Sequence, residues 1–136
     1  MTNPTDAATD AMHQAIPFTK TLGIEVLATG SDEIRLRLEA SERLSGAAGM
    51  HGGAIMALAD SAGAVCAFLN LPDGATGTTT IESKTNFLRA VRSGFVEAVA
   101  RPLHAGRSVV VVDTEVHDSE GRLVARVTQS QMVLRP

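Results

Sequence analysis

The stretch His51-Gly-Gly-Ala-Ile-Met-Ala-Leu-Ala-Asp60-Ser-Ala-Gly-Ala-Val-Cys-Ala-Phe-Leu69 decides how this chain folds. It is rich in Ala, Leu and Met, apolar on most faces and too long for one strand. It therefore reads as a single buried helix starting at Gly52. Asn70-Leu71-Pro72 supplies its stop. Its length nearly matches a bilayer span, but Asp60 near the middle, several glycines and the lack of basic flanks argue against one.

Upstream, the period changes from helical to alternating. Ile34, Leu36 and Leu38 alternate with Arg35, Arg37 and Glu39, the pattern of a half-exposed strand. A short strand at Gly23–Ala28 is expected to pair with it through Thr29-Gly30-Ser31-Asp32. Residues 11–21 read as a short helical segment around Met12, Ile16, Phe18 and Leu22, interrupted by Pro17. Residues 1–10, MTNPTDAATD, read as a flexible tail, leaving 11–136 as a single domain.

Downstream, four strands are expected at about Thr78–Leu88, Gly94–His104, Ser108–Asp118 and Leu123–Leu134. The breaks between them are short and glycine-bearing: Arg92-Ser93-Gly94, His104-Ala105-Gly106 and Asp118-Ser119-Glu120-Gly121. Such breaks predict consecutive antiparallel hairpins. One helix with little polar surface followed by a meander predicts an α+β arrangement, the sheet curled around the helix. Ser108–Asp113, with its run of valines, is expected to need cover as an edge strand, which edge-to-edge dimerisation would supply.

Composition narrows the function. The 136 residues carry a formal charge of −3, with no Trp or Tyr. A basic face or stacking platform for nucleic acid is therefore not expected. The single cysteine, Cys66, lies in an apolar run two turns beyond Asp60. It reads as core packing and fits a reducing, cytoplasmic setting. MTNPTDAATD lacks the basic-then-apolar pattern of a secretory leader. The four histidines lack metal-ligand spacing. No nucleophile elbow, phosphate loop or dinucleotide fingerprint occurs.

Asp60 is the only charged residue between Gly52 and Leu69. An ionised carboxylate in an apolar setting is costly unless it is paired. It either faces a solvent gap and caps backbone, or it is functional. His51-Gly52-Gly53 stands where loop becomes helix. The first N–H groups of a helix lack internal partners and sit at the positive end of its dipole. Glycine lets a ligand approach them closely. The alternative for Gly52-Gly53 is an ordinary tight turn. Gly52 and Asp60 lie eight residues apart, about 12 Å along one helix axis. One helix cannot bring both to one carbon, but two antiparallel helices across a two-fold axis can. That predicts two equivalent sites per dimer, each built from both chains.

These residues resemble a known group. His51-Gly-Gly-Ala-Ile-Met-Ala-Leu-Ala-Asp60 resembles the H-G-G-x(6)-D/E signature of hotdog-fold acyl-CoA thioesterases of the phenylacetate-degradation and 4-hydroxybenzoyl-CoA type. Lys84-Thr-Asn-Phe-Leu-Arg-Ala-Val-Arg-Ser-Gly94 and Arg101-Pro-Leu-His-Ala-Gly-Arg107 are similar to later segments of that branch, and together the likeness covers most of residues 20–135.

The resemblance implies hydrolysis of an acyl-CoA thioester by a homodimer or dimer of dimers, with coenzyme A entering only as part of the substrate and no cofactor. Asp60 would be nucleophile or general base, the Gly52 N–H would hold the oxyanion, and His51 would shape the mouth of the site. Ser45, Gly53, Phe87, Leu88, Arg89, Ala90, His104, Ala105, Gly106, Arg107 and Ser108 would bind the substrate or line the coenzyme A channel. Arg89 and Arg107 would meet its phosphates; their alternative is solvated surface charge. Thr80 would lie near the acyl or pantetheine arm, and Met56 and Leu58 near the acyl group.

Three positions depart from the pattern. Ser45 stands where relatives carry Asn or Gln, and Ala64 where some carry Ser or Thr. Ala90 replaces a proline. The competing expectations are a hydratase or dehydratase, a non-catalytic acyl-CoA-binding module, and a purely structural dimer.

Overall fold

The computed structural model describes residues 3–136. The elements in chain order are α1 (Pro4–Ala15), α2 (Pro17–Leu22), β1 (Glu25–Ala28), β2 (Ile34–Glu39), β3 (Ser45–Gly46), β4 (Gly49–Met50), α3 (Gly52–Phe68), β5 (Gly77–Phe87), β6 (Phe95–Ala105), β7 (Val109–Asp118) and β8 (Leu123–Leu134). Six strands form one antiparallel sheet in the order β1-β2-β6-β7-β8-β5, and β3 and β4 form a separate small hairpin. The sheet curls around α3, the hotdog arrangement expected from the sequence.

The alternating patterns set the two faces of the sheet. Ile34, Leu36 and Leu38 of β2 are buried, as are Val96, Ala98 and Ala100 of β6 and Val110, Val112 and Val116 of β7. They meet Ala54, Ile55, Leu58, Ala59, Ala62, Cys66 and Ala67 of α3. Small helix residues let the two backbones approach closely. Gly63 is the tightest point: a Cβ there would stand 2.4 Å from Cδ of the buried Gln129 side chain on β8. Leu58, expected near the acyl group, is fully buried in this core. Asn70 ends the helix by donating from Nδ2 to Cys66 O, at 2.8 Å.

The helix is not buried all round. Gly53, Met56, Asp60 and Phe68 are exposed, with Ala57 and Ala64 half-buried between them. Their spacing of three and four places them on one stripe.

Four expectations need correction. Residues 1 and 2 of the expected tail lie outside the described residues, but the rest is helical from Pro4. Asn3 caps α1 by accepting the Thr5 N–H, Pro4 occupies the first turn and Asp6 complements the dipole. Pro17 starts α2 as its first residue rather than merely interrupting a helix. Ser108–Asp113 is not an edge, because β7 lies between β6 and β8; the edges are β1 and β5. Finally, β5 and β6 do not form a hairpin. The chain leaves α3 at the far edge, β5 docks on β8, and residues 88–94 cross the end of the sheet to reach β6. Met50 N–H to Val91 O at 2.7 Å and Ala40 N–H to Gly94 O at 2.8 Å hold that crossing.

Candidate active site

The start of α3 is built by His51. Its backbone is extended (φ −63°, ψ 133°), and its side-chain Nδ1 accepts the Gly53 N–H at 2.8 Å. Its own N–H donates to Leu44 O at 2.8 Å, and its carbonyl accepts the Ala54 N–H at 2.9 Å. The Gly52 N–H has no hydrogen-bond partner among the described residues. One donor at the positive end of α3 is therefore left for something else. Phe87, half exposed, lays its ring against Gly52; a Cβ at Gly52 would be 3.1 Å from Cζ. A cleft of about 580 Å³ opens beside them, lined by Gly49, Met50, His51, Gly52, Phe87 and Arg89 among others.

Asp60 lies two turns further along the exposed stripe. The surrounding protein still desolvates the carboxyl and raises its pKa above the ordinary value, and the Thr80 side chain opposes that shift. This Thr80 contact is looser than a formed hydrogen bond. Thr80 on β5 accepts the Gln131 Nε2–H at 2.6 Å, and Gln131 on β8 is 1% exposed.

The structure sorts the sequence-predicted residues into two groups. Ser45, His51, Gly52, Gly53, Phe87, Leu88, Arg89 and Ala90 gather at the start of α3. His104, Ala105, Gly106, Arg107 and Ser108 form the β6–β7 turn at the other end of the sheet. The register runs Ala105–Val110–Gln131–Thr80, so that turn lies level with Thr80. Phe87 lies seven residues from Thr80, roughly 23 Å along β5. A single chain thus holds Gly52 and Arg89 at one end and Asp60, Thr80 and Arg107 towards the other.

Several polar groups are already committed. Ser45 Oγ donates to Ser41 O at 2.8 Å, so its hydroxyl is used locally. Arg35, Arg37, Arg101, Arg122 and Arg126 each pair with a carboxylate, whereas Arg89 and Arg107 have no acidic partner among the described residues. No three of His, Cys, Asp and Glu converge as metal ligands among the described residues. No described helix is long and apolar enough to cross a membrane.

Gln131 is the residue that sequence reasoning missed. The readable signal was two amides, Gln129 and Gln131, at inward positions of an alternating strand between Val127 and Val133.

Residues 49–125 match the family model of the thioesterase superfamily. The proofreading thioesterase EntH of Cronobacter turicensis is 34% identical over 102 residues, 74% of each chain. The 1,4-dihydroxy-2-naphthoyl-CoA hydrolase of Escherichia coli is 34% identical over 95 residues, 69% of each. A thioesterase crystal structure from Haemophilus influenzae superposes with a TM-score of 0.87 at 27% identity, covering 99% of this chain and 93% of that one. These likenesses support thioester hydrolysis as the general activity, and the chain belongs to the thioesterase superfamily.

Proposed function

We propose that the protein hydrolyses acyl-CoA thioesters at sites shared between two copies of the chain. The observation that carries the reading is the unpartnered Gly52 N–H, separated along one helix from the desolvated Asp60. A two-fold axis that pairs the exposed stripes of two α3 helices antiparallel sets Asp60 of one chain opposite Gly52 of the other. The same operation brings the β6–β7 turn of one chain towards the Phe87–Ala90 segment of the other. Arg89 and Arg107, free of carboxylates, then suit the phosphates of coenzyme A. The name of the Escherichia coli relative specifies a coenzyme A thioester, which supports that choice of carrier.

In this reading the thioester carbonyl oxygen accepts the Gly52 N–H. Asp60 removes a proton from a water that adds to the carbonyl carbon. The negative charge formed on oxygen is held by Gly52, a contact worth roughly 3 kcal/mol in comparable sites. The intermediate collapses, the carbon–sulfur bond breaks, and the proton returns to the departing thiolate. Desolvation that raises the Asp60 pKa makes it a stronger base than an ordinary carboxylate.

Complementation tests the shared site. Asp60→Asn removes the base. Gly52→Pro removes the oxyanion N–H at a first-turn position that accepts proline, after a residue already extended. Each variant alone should release almost no thiol from hexanoyl-CoA or benzoyl-CoA. Reassembled together, they should recover about one quarter of wild-type activity, because half the dimers are mixed and each carries one intact site. No recovery would refute the two-chain site. Ser45 and Ala64 offer Asp60 no polar help, which keeps one rival in play. Tight binding of both thioesters without thiol release would identify an acyl-CoA-binding module instead.

A further inference from the structure

Buried side-chain amides are expected to be hydrogen-bonded, and the two on β8 differ in this respect. Gln129 rests on Gly63 with neither amide atom partnered, serving only to fill space among the described residues. Gln131, two positions on and facing the same way, reaches across to β5 and donates its Nε2–H to Thr80 Oγ1 at 2.6 Å. A hydroxyl has one proton and two lone pairs. With a lone pair taken by Gln131, the proton of the exposed Thr80 hydroxyl is left free for another acceptor. The acceptor beside it is the Asp60 carboxyl, which has no other side-chain donor among the described residues.

We infer that Gln131 is a positioning residue: by holding Thr80 Oγ1 as an acceptor, it turns the Thr80 hydroxyl proton onto the Asp60 carboxylate. The inference rests on the proposed role of Asp60 as base. One carboxylate oxygen then faces the Thr80 hydroxyl, and the exposed carboxyl keeps the other open to a ligand. The Thr80 hydroxyl of β5, backed by the Gln131 amide of β8, takes the place of the polar help that Ser45 and Ala64 do not supply from the loop and the helix.

No charged side chain competes for this job. Asp60 is the sole charge of α3. The register turns Glu82 and Lys84 of β5, Arg126 of β8, Asp113, Glu115 and His117 of β7, Glu97 and Arg101 of β6, and Arg35, Arg37 and Glu39 of β2 to the outer face. Lys20 of α2 is exposed, and neither it nor His104 at the end of β6 contributes to the Asp60 shift.

Two measurements on wild type, Thr80→Val, Thr80→Ser and Gln131→Met decide the matter. The first is the titration of the Asp60 carboxyl carbon by NMR without substrate. The midpoint should move to higher pH in Thr80→Val and Gln131→Met and stay in place in Thr80→Ser. The second is the pH profile of thiol release from benzoyl-CoA and hexanoyl-CoA. In Thr80→Val the acidic limb should shift the same way and kcat fall roughly tenfold, the size of one hydrogen bond to a charged group, with KM little changed. Thr80→Ser should restore both.

An unchanged titration in Thr80→Val overturns the relay whatever the enzyme does. A rise in KM alone would make Thr80 a substrate contact and also overturn it. An unchanged titration in a folded Gln131→Met also overturns it; if that variant fails to fold, Gln131→Asn, which keeps a buried amide but shortens its reach to Thr80, is titrated in its place. Wild-type protein that releases no thiol from either thioester would remove the role of Asp60 as base and the inference with it; the titration would then report only a structural contact.

Discussion

A single methyl group at Gly63 should loosen the seat of α3 on the sheet, even though alanine is the better helix former. In an open helix the exchange gains about 1 kcal/mol. Here the new carbon would stand 2.4 Å from Cδ, 2.5 Å from Nε2 and 2.6 Å from Oε1 of Gln129. Gln129 is 1% exposed, so its amide has no open space to turn into. Three atoms are struck at once, which places the conflict in the upper part of the overpacking range, about 2–3 kcal/mol. The net loss expected for Gly63→Ala is therefore about 1–2 kcal/mol. At roughly 2.1 cal/mol/K of unfolding entropy per residue, a chain of 136 residues would lose about 3.5–7 °C in Tm. Gln129→Ala removes all three struck atoms. In that background Gly63→Ala should be neutral or stabilising, giving a coupling of about 2 kcal/mol in a double-mutant cycle. Thermal and urea unfolding followed by circular dichroism measure all four proteins. A stabilising Gly63→Ala in the wild-type background, or an equal loss in both, would refute the steric account.

Asp60→Asn should lower kcat about 10²–10⁴-fold while raising Tm at neutral pH. Burial lifts the Asp60 pKa in the folded state, so ionisation opposes folding there; the Tm gain should shrink as pH falls and the wild-type carboxyl takes up its proton. Asp118 shows the opposite sign. Burial pushes its carboxyl up, but the Arg122 backbone and side chain and the Glu120 N–H outweigh that and hold it below the ordinary value. Asp118→Asn should therefore lower Tm by a few degrees at neutral pH, and the deficit should close as pH falls through the lowered pKa, which melting at a series of pH values will show. Cys66 is fully buried and its thiol is pushed up to about 11; iodoacetamide at pH 8 should leave the folded chain unlabelled and react only when urea is added.

The sequence was most informative where one element carried its own pattern. The alternation at Ile34–Glu39 and the apolar run from Gly52 stated their boundaries almost to the residue. The placement of His51 as the cap and of Gly52 and Asp60 within α3 was readable because one continuous segment carries all three. The sheet order was not, since where β5 docks depends on which edge the helix returns to, and no local residue states that. The N-terminal helix was hidden because Thr, Asp and Ala dominate it and only Met12 is buried; Asn3-Pro4 with Asp6 was its cap signal. The placement of Asp60 near Thr80, with Thr80 in turn bonded to Gln131, joins three segments far apart in the chain, and only folding brings them together.

The cap on α3 has a consequence for proton traffic. With His51 Nδ1 filled by the Gly53 N–H, the neutral ring must carry its hydrogen on Nε2. The imidazole is then a donor with no spare lone pair, able to steady a carbonyl oxygen but not to abstract a proton. The helix start thus acts as an electrophilic surface, and the two-chain site proposed above leaves the base to the Asp60 carboxylate.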